Sequence, residues 1–140
     1  MYHADSVLWM SKLWHGLHEL MTAAPVSFSD LTPAKVPVKT GVYLVMGDEG
    51  EGEEPYYIGR SGNLQERLYR NHLMGNEQAS SLKKHVIADG RATDKEEAKQ
   101  FLQRHCTARW IEVEEPRSCS ALEAFCTAIL TPKYNIKEER

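Results

Sequence analysis

The sequence predicts an α/β domain: a small three-stranded sheet, mixed or antiparallel, flanked by helices. Three observations predict it. Gly41-Val42-Tyr43-Leu44-Val45-Met46 and Pro55-Tyr56-Tyr57-Ile58-Gly59 are short runs rich in strand formers, bounded by Gly or Pro. The acidic, Gly-rich stretch Asp48 to Glu54 between them reads as a hairpin loop with a solvated tip. Ala108 to Val113 alternates as a third strand does, and segments with helix-cap signals surround these runs. A chain of 140 residues suits one domain, 1–140, with a modest core.

In chain order, Asp5 to Ala24 reads as an amphipathic helix. Asp5 or Ser6 caps it, and Met10, Leu13, Trp14, Leu17, Leu20 and Met21 recur at helical spacing. This 1–24 helix precedes the strands and helices that run over 41–135. It either packs on the domain or presents Trp9 and Trp14 to a second copy or a protein partner. His15 and His18 read as solvated polar-face residues. Pro25 ends the helix, and Val26 to Thr40 reads as extended connection.

After the hairpin, Asn63 is an N-cap with Glu66 three residues on, a capping-box pattern. Leu64, Leu68 and Leu73 then face inward, and Gly75 fits the C-terminus. Ser80 to Ala88 reads as a short helix carrying Lys83 and Lys84. Thr93-Asp94-Lys95-Glu96 opens a helix to about His105. Pro116 fits the first turn of a last helix, which Thr131 and Pro132 end near Leu130. From Tyr134 onward a short extended tail with a charged, frayed end is expected.

The formal charge of −3 does not mark a basic nucleic-acid binder. The distribution does more: Arg60 to Arg91 holds six bases against three acids, a strip able to steer a polyanion. Cys106, Cys119 and Cys126 are odd in number and lack CxxC spacing, which signals neither a zinc site nor a disulfide framework. They read as buried thiols in a reducing cytoplasm. No apolar run is long enough for a membrane span, and the N-terminal stretch, with acidic and His residues inside it, is unlike a secretory signal.

Antiparallel pairing brings Tyr43 and Tyr57 to the end of the hairpin away from its loop. Tyr43 with Val45, and Tyr57 with Pro55 and Gly59, each share a face. Arg67 lies about one turn into the following helix. Two phenols and a guanidinium at such a corner suit a polyanion better than an apolar ligand.

These residues carry a resemblance. Gly41-Val42-Tyr43, then Tyr57-Ile58-Gly59, then Asn63-Leu64-x-x-Arg67 resembles the GIY-YIG nuclease superfamily, with Tyr57 and Arg67 ten apart as that pattern asks. Ala121-Leu122-Glu123-Ala124 and Pro132-Lys133-Tyr134-Asn135 resemble its later Glu and Asn motifs. The resemblance implies the GIY-YIG fold with an extra N-terminal helix. It also implies a metal-dependent endonuclease hydrolysing phosphodiester bonds in DNA, in repair, recombination or genome defence, with RNA left open as substrate. The alternative is a nucleic-acid-binding module of the same fold with little or no activity.

In the implied chemistry Glu123 holds Mg²⁺ (or Mn²⁺), which keeps most of its waters on so few protein ligands. Arg67 grips the phosphate through its planar fork. Tyr43 is the general base, Tyr57 positions water or phosphate, and Asn135 braces the site. Arg60, Arg70, Asn71, His72, Lys83 and Lys84 are candidate substrate contacts. One departure stands out: many relatives carry His or Tyr four residues after the arginine, where this chain has Asn71. His72 follows one residue later, about 100° out of phase on an α-helix. Either Asn71 does a weaker positioning job or His72 swings in.

Overall fold

The computed structural model describes residues 4–135. Its centre is an antiparallel sheet of four strands, β1 (Val26–Ser27), β2 (Gly41–Gly47), β3 (Glu54–Ser61) and β4 (Cys106–Glu112), in the order β1-β4-β2-β3. The fourth strand is β1, a two-residue piece of the expected connection that pairs Val26 with Ala108 and Ser27 with Thr107. It is too short to leave a period in the sequence. Every residue of β2 is buried, as its continuous apolar run demands of a strand paired on both sides and covered on both faces.

Alternation along β2 divides the interior in two. Tyr43 and Val45 belong to one core with Leu64, Leu68, Leu73, Leu82, Val86, Phe101 and Leu102. Val42, Leu44 and Met46 belong to the other with Leu17, Leu20, Cys119, Leu122 and Cys126. The first is roofed by a π-helix at Glu66–Leu73, α2 (Ser81–Ala88) and α3 (Lys95–His105). The second is closed by α1 (Ala4–Thr22) and α4 (Pro116–Leu130). All three cysteines are buried and free. Among the described residues no helix is long and apolar enough to cross a membrane.

The helix boundaries follow from local chemistry. Asn63 Oδ1 accepts the Glu66 N–H at 3.0 Å, the expected cap. The box at α3 is displaced by one residue from its expected place: Asp94 Oδ1 accepts from the Glu97 N–H, and Glu97 Oε1 accepts from the Thr93 N–H. Pro116 opens α4 behind the cap Glu115. On α1, Leu17 and Leu20 are buried, whereas Met10 and Trp14 are 47% and 61% exposed. The apolar stripe is therefore narrower than its spacing predicts. Gly16 lets α1 close on α4: a Cβ there would lie 2.8 Å from Leu122 Cδ1.

The hairpin register has Tyr43 opposite Gly59 and Val45 opposite Tyr57, with an irregularity between Val45 and Met46. Tyr57 is thus in the middle of β3 rather than at its end. The bulge pairs Pro55 with Met46 and removes Pro55 from the face of Tyr57, while Tyr56 turns into the first core. At the other end of the chain, α4 stops at Thr131 in the left-handed conformation, φ 42°. The chain then turns along β3, where Lys133 N–H donates to Pro55 O and Tyr134 N–H to Tyr56 O, at 3.1 and 2.8 Å. Tyr134 and Asn135 form part of a turn. The frayed end expected after them lies outside the described residues.

Candidate active site

Tyr43 is the meeting point. Its ring passes over Gly59 on the neighbouring strand, so close that a Cβ at Gly59 would sit 2.3 Å from the phenol oxygen. Only glycine leaves that space. The Tyr57 ring stands diagonally across, centroids 6.3 Å apart. Its hydroxyl is hydrogen-bonded to Ser81 Oγ at the start of α2. The charges of Arg67, from the π-helix, and Glu123, from α4, both act on the Tyr43 hydroxyl. The three consecutive elements β2, β3 and the π-helix, and the distant α4, thus supply Tyr43 and the side chains that contact its ring or act on it by charge.

The electrostatics oppose one another. Burial pushes the Tyr43 phenol well above its ordinary range, and Tyr57 adds to this. Arg67 pulls it down, and Glu123 pushes it up again. Arg67 is half-buried, which leaves its guanidinium poorly screened and able to act on a phosphate.

His72 is in the site and completely buried. Its Nε2 lies 2.6 Å from Tyr43 Oη and its Nδ1 2.6 Å from Ser80 Oγ. The α-helical phase argument that displaced it from the line of Arg67 fails because this segment is a π-helix. Met74 N–H reaches back five residues to Tyr69 O at 3.0 Å. In that geometry residues five apart share a face, as Arg67 and His72 do, and as the buried pair Leu68 and Leu73 do. The five-residue step between those leucines was the available signal. Asn71, at the ordinary α spacing, is half-buried beside it. Burial, then Arg67, then Lys83 lower the His72 ring to about 3, so it is neutral at ordinary pH.

Lys83 is a correction. It does not face a substrate: it is 1% exposed, and its ammonium donates to Leu73 O at 2.6 Å and Gly75 O at 2.5 Å. It closes the C-terminal end of the π-helix, whose carbonyls would otherwise be orphaned. Burial lowers it to about 8. Ser80, missed in the sequence, caps α2 by accepting the Lys83 N–H at 3.0 Å while facing His72.

The remaining candidates lie on the surface. Arg70 and Lys84 are exposed. Arg60 Nε donates to Glu123 Oε1 at 3.1 Å, and Arg91 pairs with Glu49 and Asp89. Of the six bases in the predicted strip, Arg67, Arg70 and Lys84 form no ion pair among the described residues. Asn135 braces β3 through its side-chain amide, which accepts from Ile58 N–H at 2.6 Å and donates to Ile58 O at 2.8 Å. The acidic hairpin tip turns elsewhere, with Glu49 meeting Tyr56, Arg91 and Lys133.

As a cation site the donor set is sparse. Among the described residues no three His, Cys, Asp or Glu side chains cluster as ligands. A closed zinc site is thus unsuited to these residues. One carboxylate whose charge acts on the Tyr43 phenol fits a hard cation that retains its waters, and Glu123 already pairs with a positive charge, that of Arg60.

Among solved structures, the chain is similar to three point mutants of the GIY-YIG N-terminal endonuclease domain of UvrC from Thermotoga maritima, each bound to its catalytic divalent cation. The identities are 27%, 28% and 22%, over 73%, 72% and 73% of this chain and 88% of each of theirs. The TM-scores are 0.45, 0.45 and 0.44. No family model matches the chain, and no curated protein matches it.

Proposed function

We propose that this chain is a divalent-cation-dependent endonuclease of the GIY-YIG type that hydrolyses phosphodiester bonds in DNA. The observation that carries the reading is the convergence on Tyr43: Tyr57 of β3 and His72 of the π-helix contact it, and Arg67 of the π-helix and Glu123 of α4 act on its hydroxyl by charge. Such a constellation has the parts that phosphodiester hydrolysis needs. Arg67 supplies a fork for non-bridging oxygens. Tyr43, once it has released its own hydroxyl proton to solvent, accepts as the phenolate a proton from the attacking water, and Tyr57 orients water or phosphate. Glu123 would hold Mg²⁺ or Mn²⁺, which when bound supplies Lewis-acid stabilisation of the developing charge. Arg60, next to Glu123, is placed to exchange that carboxylate for a phosphate oxygen. Arg70 and Lys84 add backbone contacts, and Asn135 holds β3 in register.

The test is cleavage of plasmid, single-stranded, flapped and branched DNA, with and without Mg²⁺ or Mn²⁺. Glu123→Ala and Arg67→Ala are expected to lower cleavage by at least about 10²-fold while the circular dichroism stays that of the parent. Full cleavage by both variants would refute the site. The Arg60–Glu123 ion pair favours a second reading, a nucleic-acid-binding module in which the carboxylate is permanently occupied. Salt-dependent binding without product in Mn²⁺ is the result that reading expects.

A further inference from the structure

The buried side chains behind Tyr43 form a line that the nuclease reading does not by itself require. Ser80, His72 and Tyr43 are each 0 or 1% exposed. They are joined at 2.6 Å and 2.6 Å, with the Lys83 N–H entering from the far end at 3.0 Å. A neutral imidazole carries one ring hydrogen, and its two neighbours decide which nitrogen holds it.

With the hydrogen on Nδ1, two donors would converge on Ser80 Oγ, Lys83 N–H and His72 Nδ1–H. The serine's own hydrogen would then be left in a fully buried place with no acceptor among the described residues. With the hydrogen on Nε2, Lys83 N–H gives to Ser80 Oγ, Ser80 O–H to His72 Nδ1 and His72 Nε2–H to Tyr43 Oη, so every donor of the line but the Tyr43 hydroxyl itself has an acceptor. The one hydrogen left over is then that of the Tyr43 hydroxyl, the group on which the charges of Tyr57, Arg67 and Glu123 act, and not one shut in behind His72. Chained donors pointing one way also strengthen one another.

We propose that Ser80 is a positioning residue that fixes the His72 ring hydrogen on Nε2 and so aims a donor at the Tyr43 oxygen. A phenol oxygen that already receives a hydrogen bond gives up its own proton more readily. Ser80 thereby prepares Tyr43 to act as a base without touching substrate. This consequence rests on the nuclease reading; the position of the hydrogen does not.

The test is arranged accordingly. Ring-nitrogen NMR of the intact protein near neutral pH, with His72 assigned by comparison with His72→Gln, is expected to find the hydrogen on Nε2. A hydrogen on Nδ1 overturns the proposal. In cleavage assays, Ser80→Ala is expected to lower kcat by roughly ten- to hundredfold with KM unchanged, inside the ~10²–10⁴ that a positioned proton-transfer group supplies. Ser80→Thr, which keeps hydroxyl and cap, is expected to recover most of it. Unchanged kcat in Ser80→Ala, or equal loss in both variants, also overturns the proposal. Should the parent protein cleave nothing, the nuclease reading fails and the NMR result alone decides the role of Ser80.

Discussion

His72 shows how one buried side chain couples stability to pH. Its ring titrates near 3 in the folded protein and near 6.5 when exposed. The unfolded chain therefore takes up a proton that the folded chain refuses. The stabilising contribution is full above about 6.5 and is lost as pH falls toward 3, by an amount on the order of 5 kcal/mol. Urea midpoints of the parent should fall more steeply from pH 7 to 4 than those of His72→Gln; parallel curves would show that the ring is not held neutral. The sequence pointed at Tyr43, Tyr57, Arg67 and Glu123 through short motifs that resemble those of the GIY-YIG superfamily. It did not place Ser80 or Lys83. Lysine is ordinarily a surface residue, and nothing in an eight-residue helix tells which of two adjacent lysines turns inward.

At the level of elements, the π-helix decides what the site contains. The capping signals gave the start and end of this segment, and its inward leucines were visible in the sequence. Its extra width was not, because helical phase is read with an α period. Deleting exposed Arg70 would shorten the step from Arg67 to His72 to the ordinary α spacing. The variant is expected to rewind as an α-helix and keep the Tyr43–His72 contact, measured as a ring-to-ring nuclear Overhauser effect in a folded protein. A folded variant without that contact would show that the π geometry itself holds the histidine. The bulge in β3 belongs to the same scale. It seats Tyr56 and Tyr57 in one core, which strict alternation along the sequence does not allow.

Over the whole molecule, charge and sheet order matter more than any single motif. The chain is net acidic; of the basic strip, Arg60 and Arg91 are ion-paired and Lys83 is buried on backbone carbonyls, which leaves Arg67, Arg70 and Lys84 for phosphates among the described residues. Binding to DNA should therefore depend only modestly on salt. A slope of log K against log salt near −3 is expected, since each neutralised phosphate of a duplex contributes about −0.9. Arg70→Ala and Lys84→Ala should each flatten it by about one; a slope several times steeper would mean that other bases carry the contact. The three main strands and the helices around them were legible because their apolar periods are long. β1 was not, because two residues have no period.

The sheet ends at β3, and the free side of that strand receives its hydrogen bonds from Lys133, Tyr134 and Asn135. A chain cut before Pro132 would bare a row of unpaired peptide groups beside an apolar strand. Such a row is a ready template for a neighbouring chain. The shortened protein is thus expected to cluster into β-rich aggregates, rising in light scattering with concentration, where the full chain stays dispersed. The turn at Lys133 to Asn135 is what covers the outer edge of β3.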